Sequence, residues 1–207
     1  MTKVEPTIYI VDDDESVRDA LRNLLDAVGM RAVLYGSTQE FLDARRPDVP
    51  SCLILDVRLP GMNGLELQEE LNKTGVPVPI VFITAHGDIP MTSRAIKAGA
   101  VEFLTKPFEK KDLLAAVGQA LDRDRERRAA QARLSALRGR YKSLTPRERE
   151  VLWEVVSGKT NKEIANLFGL SEITVKIHRG RAMEKMEADS LADLVRMTEK
   201  LQQRFRK

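Results

Sequence analysis

Five short apolar runs, separated by amphipathic stretches, constrain the fold of this chain more than any other feature of its sequence. The runs lie at residues 7–11, 31–34, 52–55, 79–83 and 101–104. Three of them are too uniformly apolar to have a face in water, which is typical of parallel strands covered on both sides. Apolar side chains at helical spacing fill the stretch from Val17 to Val28. The alternation predicts an α/β fold with a doubly wound, five-stranded parallel sheet over residues 5–120.

The last third of the chain carries helix signals only. Thr145, Pro146 and Glu148 combine an N-cap, a proline at the first helical position and a capping-box glutamate. Asn161 and Ser171 are further N-cap candidates. The pattern predicts a small all-α domain over residues 143–205, with four helices at about 146–157, 161–168, 172–187 and 190–202.

A long helical linker is predicted between the two domains, at residues 121–142. The stretch from Asp112 to Arg138 contains no proline and only one glycine, so the last helix of the first domain is expected to continue into it. Residues 122–128 are too polar to be core, which favours an exposed helix. The alternative is a coiled-coil seam, interrupted by the charged middle, through Leu113, Val117, Leu121, Leu134, Leu137 and Tyr141.

Charged and hydroxyl side chains follow four of the predicted strands. They are Asp12, Asp13 and Asp14 after the first, Asp56 after the third, Thr84 after the fourth and Lys106 after the fifth. The carboxyl ends of the strands in an open parallel sheet form one ligand-binding edge, so we expect these side chains to meet. Crowded carboxylates repel one another unless a cation lies between them, and the sequence therefore predicts bound Mg²⁺ (or Mn²⁺).

These residue types suit the transfer of a phosphoryl group to a carboxylate. Asp56 ends the central apolar strand and is the best candidate nucleophile. Gly61 and Gly64 in the following loop would leave room for a phosphodonor, and Lys106 would pair with the phosphate.

A purely structural interpretation is open for each of these residues alone. Asp12 to Asp14 could cap the next helix, Asp56 could be a turn residue, and Lys106 a solvated charge. That interpretation does not account for all four positions together.

The same residues resemble the signature of two-component receiver domains. The resemblance covers residues 5 to about 120 and is carried by Val11–Asp14, Leu55–Gly64, Ile83–Ala85 and Lys106–Phe108. It implies a flavodoxin-like or CheY-like fold and phosphotransfer from a histidine kinase to Asp56. It also implies Mg²⁺ held by Asp12, Asp13, Asp56 and the backbone carbonyl of Arg58.

Further residues take their predicted roles from this resemblance. It implies a cis peptide bond between Lys106 and Pro107, a Thr84 that moves to bond the phosphoryl group, and an aromatic switch residue, Phe103, that turns inward. His86 stands at a position that tunes the access of water to the acyl phosphate, as does Arg58. A solvated loop side chain is the alternative for both His86 and Arg58.

The predicted third helix of the C-terminal domain has one core face and one unusual face. Val175, His178, Arg179, Ala182 and Met186 lie near the core face, while Ile173, Ile177, Gly180, Arg181 and Glu184 lie opposite. An exposed isoleucine beside Lys176 and Arg181 suits a DNA major groove, where apolar atoms meet thymine methyl groups and cations reach guanine edges or phosphate. Thr174, His178 and Arg179 are candidate phosphate contacts. Basic helices are more often solvated faces, so this helix alone leaves both interpretations open.

The whole pattern of the C-terminal domain resembles the LuxR-type (GerE) helix-turn-helix. The resemblance covers about residues 143–205 and is carried by Leu144–Leu152, Asn161–Ala165, Ser171–His178 and Lys185–Met186. It implies that Lys176 and Ile177 contact bases and that the domain binds DNA as a dimer. Gly180 departs from relatives that often carry a longer side chain there, which implies either a narrower base readout or room for the DNA backbone.

Together the two domains resemble the FixJ branch of response regulators. That family implies a transcription regulator, and it favours an activator over a repressor. It also implies a sensor histidine kinase, promoter DNA and RNA polymerase as partners. It also implies a homodimer that forms on phosphorylation, through a surface that includes the fourth helix at about 91–98. The run 82–92 is similar to regulators of aromatic-hydrocarbon catabolism.

Other classes of protein were weighed against this one. A flavodoxin-like electron carrier would share the sheet, but three aspartates after the first strand would repel a flavin phosphate. A signalling adaptor that binds protein rather than DNA is a further alternative. Gly158-Lys159-Thr160 lacks the earlier glycine of a P-loop, and the sequence contains no His-Glu-x-x-His, Gly-x-Ser-x-Gly or Gly-x-Gly-x-x-Gly motif. We therefore expect a protein that is not an enzyme.

Charge and cysteine content bear on partners and location. The net charge of +3 combines an acidic stretch over residues 1–121 with a basic remainder, which favours a cation partner for the former and a polyanion for the latter. The single cysteine, Cys52, lies in an apolar run and predicts a buried, inert thiol. With no signal-peptide pattern and no membrane-spanning run, a cytoplasmic protein without a membrane partner is expected.

Overall fold

The computed structural model describes residues 5–76, 78–85 and 87–202. His86, a predicted tuning residue, lies outside these ranges, as do the last residues of the predicted 143–205 domain. The chain divides after Arg128 into two compact units.

The first unit contains one five-stranded parallel sheet. Its strands are β1 (Thr7–Val11), β2 (Arg31–Tyr35), β3 (Ser51–Asp56), β4 (Ile80–Thr84) and β5 (Glu102–Thr105), in the order β2-β1-β3-β4-β5. Each strand coincides with one predicted apolar run to within one or two residues. The predicted doubly wound fold is therefore confirmed, and β3 is its central strand.

Helices cover both faces of this sheet. They are α1 (Glu15–Asp26), α2 (Thr38–Asp43), α3 (Gly64–Thr74), α4 (Ile89–Lys97) and the first part of α5 (Lys110–Ser143). Along β3, Leu53 and Leu55 pack in one apolar layer, whereas Cys52 and Ile54 pack in the other. Every residue of β1, β3 and β4 is buried, which explains their continuous apolar sequences. Burial also raises the pKa of the Cys52 thiol to about 12, as expected of an inert core residue.

Helix α5 continues without a break from the first unit into the second, so the predicted helical linker is confirmed as helix. The structure differs from the sequence analysis at Asp124, which is fully buried although the stretch around it is highly charged. The proposed coiled-coil seam is divided between two cores: Leu121 belongs to the first unit, whereas Leu137 and Tyr141 pack in the second. These apolar side chains therefore pack within the chain.

The second unit is helical throughout its described part. After the end of α5 it contains α6 (Pro146–Val156), α7 (Asn161–Phe168), α8 (Glu172–Met186) and α9 (Leu191–Gln202), which confirms the four predicted helices. Thr145 and Ser171 are N-caps, as predicted. Asn161 is not: Thr160 caps α7, because its hydroxyl accepts from the Glu163 backbone N–H while the Glu163 carboxylate accepts from Thr160 N at 2.7 Å.

Among the described residues, no helix combines the length and the apolar character that crossing a bilayer requires.

Candidate functional site

Four of the side chains that follow the strands meet at the carboxyl edge of the sheet. Oxygen atoms of Asp12, Asp13 and Asp56 lie within 4.8 Å of one another. Lys106 Nζ donates to Asp12 Oδ2 at 2.8 Å and to Asp56 Oδ2 at 3.1 Å. These four residues therefore lie together, as expected. We refer to Asp12, Asp13, Asp56 and Lys106 as the acidic cluster.

Burial controls the electrostatics of the acidic cluster. Asp12 and Asp56 are buried, and desolvation raises the pKa of Asp12 although Lys106 and the Asp14 N–H both bond to its carboxylate. Burial alone would lower the pKa of Lys106, but its bonds to Asp12 and Asp56 outweigh that effect and leave the pKa raised. Lys106 is therefore a cation at neutral pH, facing carboxylates that outnumber it.

Backbone groups fix two of the carboxylates in place. Asp12 Oδ1 accepts from the Asp14 N–H at 3.0 Å, and Asp56 Oδ1 accepts from the Arg58 N–H at 3.1 Å. An all-oxygen donor set of this kind, held at strand ends, fits a hard divalent cation such as Mg²⁺.

Asp14 behaves differently from its two neighbours. Its exposed carboxylate caps α1 by accepting from the backbone N–H groups of Ser16, at 2.8 Å, and Val17, at 3.4 Å. A hydrogen bond from the Ser16 side chain, together with these backbone bonds, lowers the pKa of Asp14. The helix-capping interpretation is correct for Asp14, whereas Asp12 and Asp13 belong to the acidic cluster.

Thr84 and Phe103, the two predicted switch residues, lie on adjacent strands. Thr84 is fully buried at the end of β4, one residue beyond Ile83, which is the register partner of Asp56. Phe103 is 9% exposed and its ring packs against Phe82 with centroids 5.9 Å apart, so it is inward. The peptide bond between Lys106 and Pro107 is cis, as the resemblance implies.

Gly87 makes room for the ring of Phe103, a role the sequence analysis missed. A Cβ atom at Gly87 would lie 2.8 Å from Phe103 Cε1 and 2.7 Å from Thr105 Cγ2, closer than carbon atoms pack. Position 87 therefore has no room for a side chain while Phe103 and Thr105 keep these positions. No periodic pattern in the sequence signals such a contact, because it joins a loop to a strand more than ten residues away.

A cleft of about 610 Å³ opens beside the acidic cluster. Asp13, Arg58 and Gly61 line it from the loops that follow β1 and β3, and Arg94 lines it from α4. Gly61 therefore borders open space, and its use by a phosphodonor stays a prediction. Gly64 has another role: a Cβ atom there would lie 2.3 Å from the Asp56 carbonyl oxygen, so glycine allows α3 to begin directly against β3.

The second candidate site is the exposed face of α8. Val175, Ala182 and Met186 are buried on its inner face, as predicted. Ile173 and Ile177 are 74% and 48% exposed, and the neighbouring Lys176, Gly180 and Arg181 are exposed as well. An apolar pair with cations on an open helix face has the composition expected of a major-groove contact.

Three further predicted contact residues of α8 are half-buried. Thr174 shares a 2.8 Å hydrogen bond with Ser171, and Arg179 donates to Asn161 Oδ1 at 3.3 Å. His178 Nδ1 is buried and has no hydrogen-bond partner among the described residues. Lys176, Ile177 and Arg181 are consequently the more accessible of the predicted DNA contacts.

Comparisons with known proteins match both units. The family model "Response regulator receiver domain" matches residues 8–118, and "Bacterial regulatory proteins, luxR family" matches residues 142–198. The chain is 53% identical over 194 residues to Nodulation protein W of Bradyrhizobium diazoefficiens, covering 94% of this chain and 86% of that protein. It is 40% identical to the Transcriptional regulatory protein FixJ of the same organism, covering 92% and 93%. The solved structure of the response regulator StyR is similar with a TM-score of 0.86 at 50% identity, covering 95% of this chain and 99% of that one.

Proposed function

The chain belongs to the response regulators that join a receiver domain to a LuxR-type DNA-binding domain, and from this premise we propose that Asp56 accepts a phosphoryl group from a histidine kinase and so controls promoter binding. One observation carries the proposal. Asp56 lies within hydrogen-bond distance of Lys106, in an acidic cluster beside an open cleft. We assign residues 5–120 to the receiver, 121–142 to the linker and 143–205 to the DNA-binding domain.

The chemistry follows from the groups around Asp56. Its carboxylate oxygen attacks the phosphorus of the phosphohistidine, the phosphorus–nitrogen bond breaks, and the electron pair remains on the imidazole. Lys106, which already contacts Asp56, pairs with an oxygen of the transferred group. Thr84 and Phe103 then act as the switch, with the threonine hydroxyl bonding the phosphoryl group.

Asp12, Asp13, Asp56 and the backbone carbonyl of Arg58 would hold Mg²⁺ or Mn²⁺. Bound there, the ion neutralises the charge of the phosphoryl oxygens and of the carboxylates. The fit rests on the close approach of the three carboxylates, which Lys106 balances only in part.

The output of the switch is DNA binding by the second unit. In our proposal phosphorylation promotes a homodimer that places two α8 helices on a paired site, with Lys176 and Ile177 against bases and Thr174, His178, Arg179 and Arg181 on phosphates or base edges. In this proposal the DNA-bound protein also contacts RNA polymerase and activates transcription. The protein acts in the cytoplasm. The chain acts as a regulator rather than an enzyme, and a role in aromatic catabolism stays a prediction.

Phosphorylation of purified protein tests the assignment of Asp56. With acetyl phosphate and Mg²⁺, the intact mass of the wild type should rise by one phosphoryl group, and EDTA should prevent the gain. Asp56→Asn should not gain it. Asp14→Asn is the matched control, because Asp14 lies at the same edge but caps α1, and it should be phosphorylated like the wild type. Equal phosphorylation of Asp56→Asn would refute the assignment.

A further inference from the structure

Asp124 is a fully buried charge that the acidic cluster does not use. It lies on α5 and faces the start of β3, at the opposite end of that strand from Asp56. Its Oδ2 accepts from the Ser51 N–H at 3.0 Å and from Arg128 Nε at 2.6 Å. Its Oδ1 accepts from Arg127 Nε at 3.0 Å and Nη2 at 2.7 Å. Both carboxylate oxygens are thus occupied by donors from the strand and from the helix itself.

This arrangement exists only while α5 is helical through Arg128. Arg127 and Arg128 follow Asp124 at i+3 and i+4, the two spacings at which helical side chains meet. Arg128 also pairs with Asp48, just before β3. One turn of α5 is therefore bonded to the beginning of β3, the strand that ends in Asp56.

Helix formation and strand packing depend on each other at this point. A buried carboxylate that loses its partners is strongly unfavourable, and so is a buried backbone N–H. Unwinding α5 after Leu121 would remove the arginine donors from Asp124 and leave the Ser51 N–H without its acceptor. A change that loosens either element therefore loosens the other, in both directions.

The contacts of Asp124 also shorten the segment of α5 that packs in neither core. Residues up to Arg128 are held at the sheet, and Leu137 is already buried in the core of the second unit. Only residues 129–136 of α5 lie between these two anchors.

We propose that Asp124, through Arg127, Arg128 and Ser51, is the coupling residue that makes the linker helix part of the receiver and passes the receiver's phosphorylation state into it. The proposal rests on the proposed function, since it supplies the route from Asp56 to DNA binding. Asp124 has no place in phosphoryl transfer itself, because it lies at the far end of β3.

Asp124→Ala tests the coupling, with Asp122→Ala as the matched control. Asp122 lies on the same helix, is exposed, and pairs with Arg125 at i+3. Hydrogen exchange of residues 122–136 in the full chain should become at least about tenfold faster in Asp124→Ala and stay unchanged in Asp122→Ala. Asp124→Ala should still be phosphorylated by acetyl phosphate, but the gain in affinity that phosphorylation gives should fall by about tenfold. The DNA probe is a duplex selected from a random pool by the phosphorylated wild type.

Unchanged exchange in Asp124→Ala would overturn the anchoring. Faster exchange with a full phosphorylation-dependent gain in affinity would overturn the coupling. If Asp124→Ala does not fold, Arg127→Lys keeps the charge but removes the two-pronged contact. It should then show the same changes at smaller size, and wild-type behaviour would overturn the proposal. A wild type without any phosphorylation-dependent gain would refute the proposed function instead, and the exchange measurement would still decide the anchoring.

Discussion

Phe103 and Gly87 show how one missing methyl group can determine the position of a proposed switch residue. The ring of Phe103 lies inward against Phe82, in space that a side chain at Gly87 would occupy. Gly87→Ala should therefore displace the ring or Thr105 and lower the free energy of unfolding of the receiver by about 1–3 kcal/mol. Chemical denaturation measures the change.

Gly118→Ala is the control for this substitution. Gly118 lies in α5, and a Cβ atom there meets nothing within 4 Å. Alanine should stabilise the helix by up to about 1 kcal/mol. Equal stability of Gly87→Ala and the wild type would contradict the packing argument.

The sequence predicts some of these residues and not others for a physical reason. Asp56 and Lys106 could be found because strand ends meet at one edge of a parallel sheet, so their positions along the chain determine their positions in space. Gly87 and Asp124 could not, because their roles depend on residues distant in sequence, such as Phe103 and Ser51, that no periodic pattern relates to them. Asp124 also stands in a charged stretch, where its burial has no compositional signal.

At the scale of elements, the strands and helices follow their periodicity closely, while the caps are harder to predict. Thr160 and Asn161 are adjacent and both are good N-cap residues. Only the reciprocal bond between Thr160 and Glu163 distinguishes them, and it depends on where α7 begins. The capping box of α6 could be predicted because Pro146 marks its first helical residue.

The capping glutamate of α6 has a second partner that the sequence does not reveal. Glu148 is buried and accepts from the Thr145 N–H at 2.8 Å and from Lys185 of α8 at 2.7 Å. Burial raises the pKa of Glu148, but the bonds from Lys185 and Thr145 outweigh it and leave the pKa lowered. The carboxylate therefore stabilises the second unit at pH values above the ordinary glutamate pKa of about 4.3, and that contribution is lost as pH falls through the lowered pKa.

Glu148→Gln should lower the stability of the second unit by about 1–3 kcal/mol at pH 7. The difference from the wild type should shrink as the pH falls below the ordinary glutamate range. Fluorescence of Trp153, the single tryptophan, reports unfolding from within α6 itself. Glu150→Gln is the control, because Glu150 is exposed and pairs only with Arg147 in the described structure, and it should cost less than about 0.5 kcal/mol. A pH-independent effect of Glu148→Gln would contradict the electrostatic explanation.

Helix α8 contains a glycine that the fold does not require. Gly180 is exposed on the face with Ile177 and Arg181, and a Cβ atom there meets nothing within 4 Å. Gly180→Ala should therefore raise stability by about 1 kcal/mol, as should Gly139→Ala at a second glycine of α5 that has open space around it. If Gly180 leaves room for the DNA backbone, only Gly180→Ala should weaken DNA binding, which fluorescence anisotropy measures. Equal binding by both variants would contradict that role.

At the scale of the whole molecule, one helix joins an acidic receiver domain to a basic LuxR-type domain. The first unit contains the chemistry, since its carboxylates and Lys106 meet at one sheet edge. The second contains the proposed DNA-binding face, with an apolar pair and cations on α8. DNA binding should weaken steeply as salt rises, because cations of the second unit displace counterions from the phosphates.

The dissociation constant for DNA, measured with and without a phosphodonor, tests the central claim most directly. The DNA is a duplex selected from a random pool by the phosphorylated wild type, and the proteins are the full-length wild type and Asp56→Asn. We expect acetyl phosphate with Mg²⁺ to tighten binding by the wild type by at least about tenfold, a coupling of about 1.4 kcal/mol, and to leave Asp56→Asn unchanged. Equal affinities of the wild type with and without the phosphodonor, or an equal gain in Asp56→Asn, would contradict it.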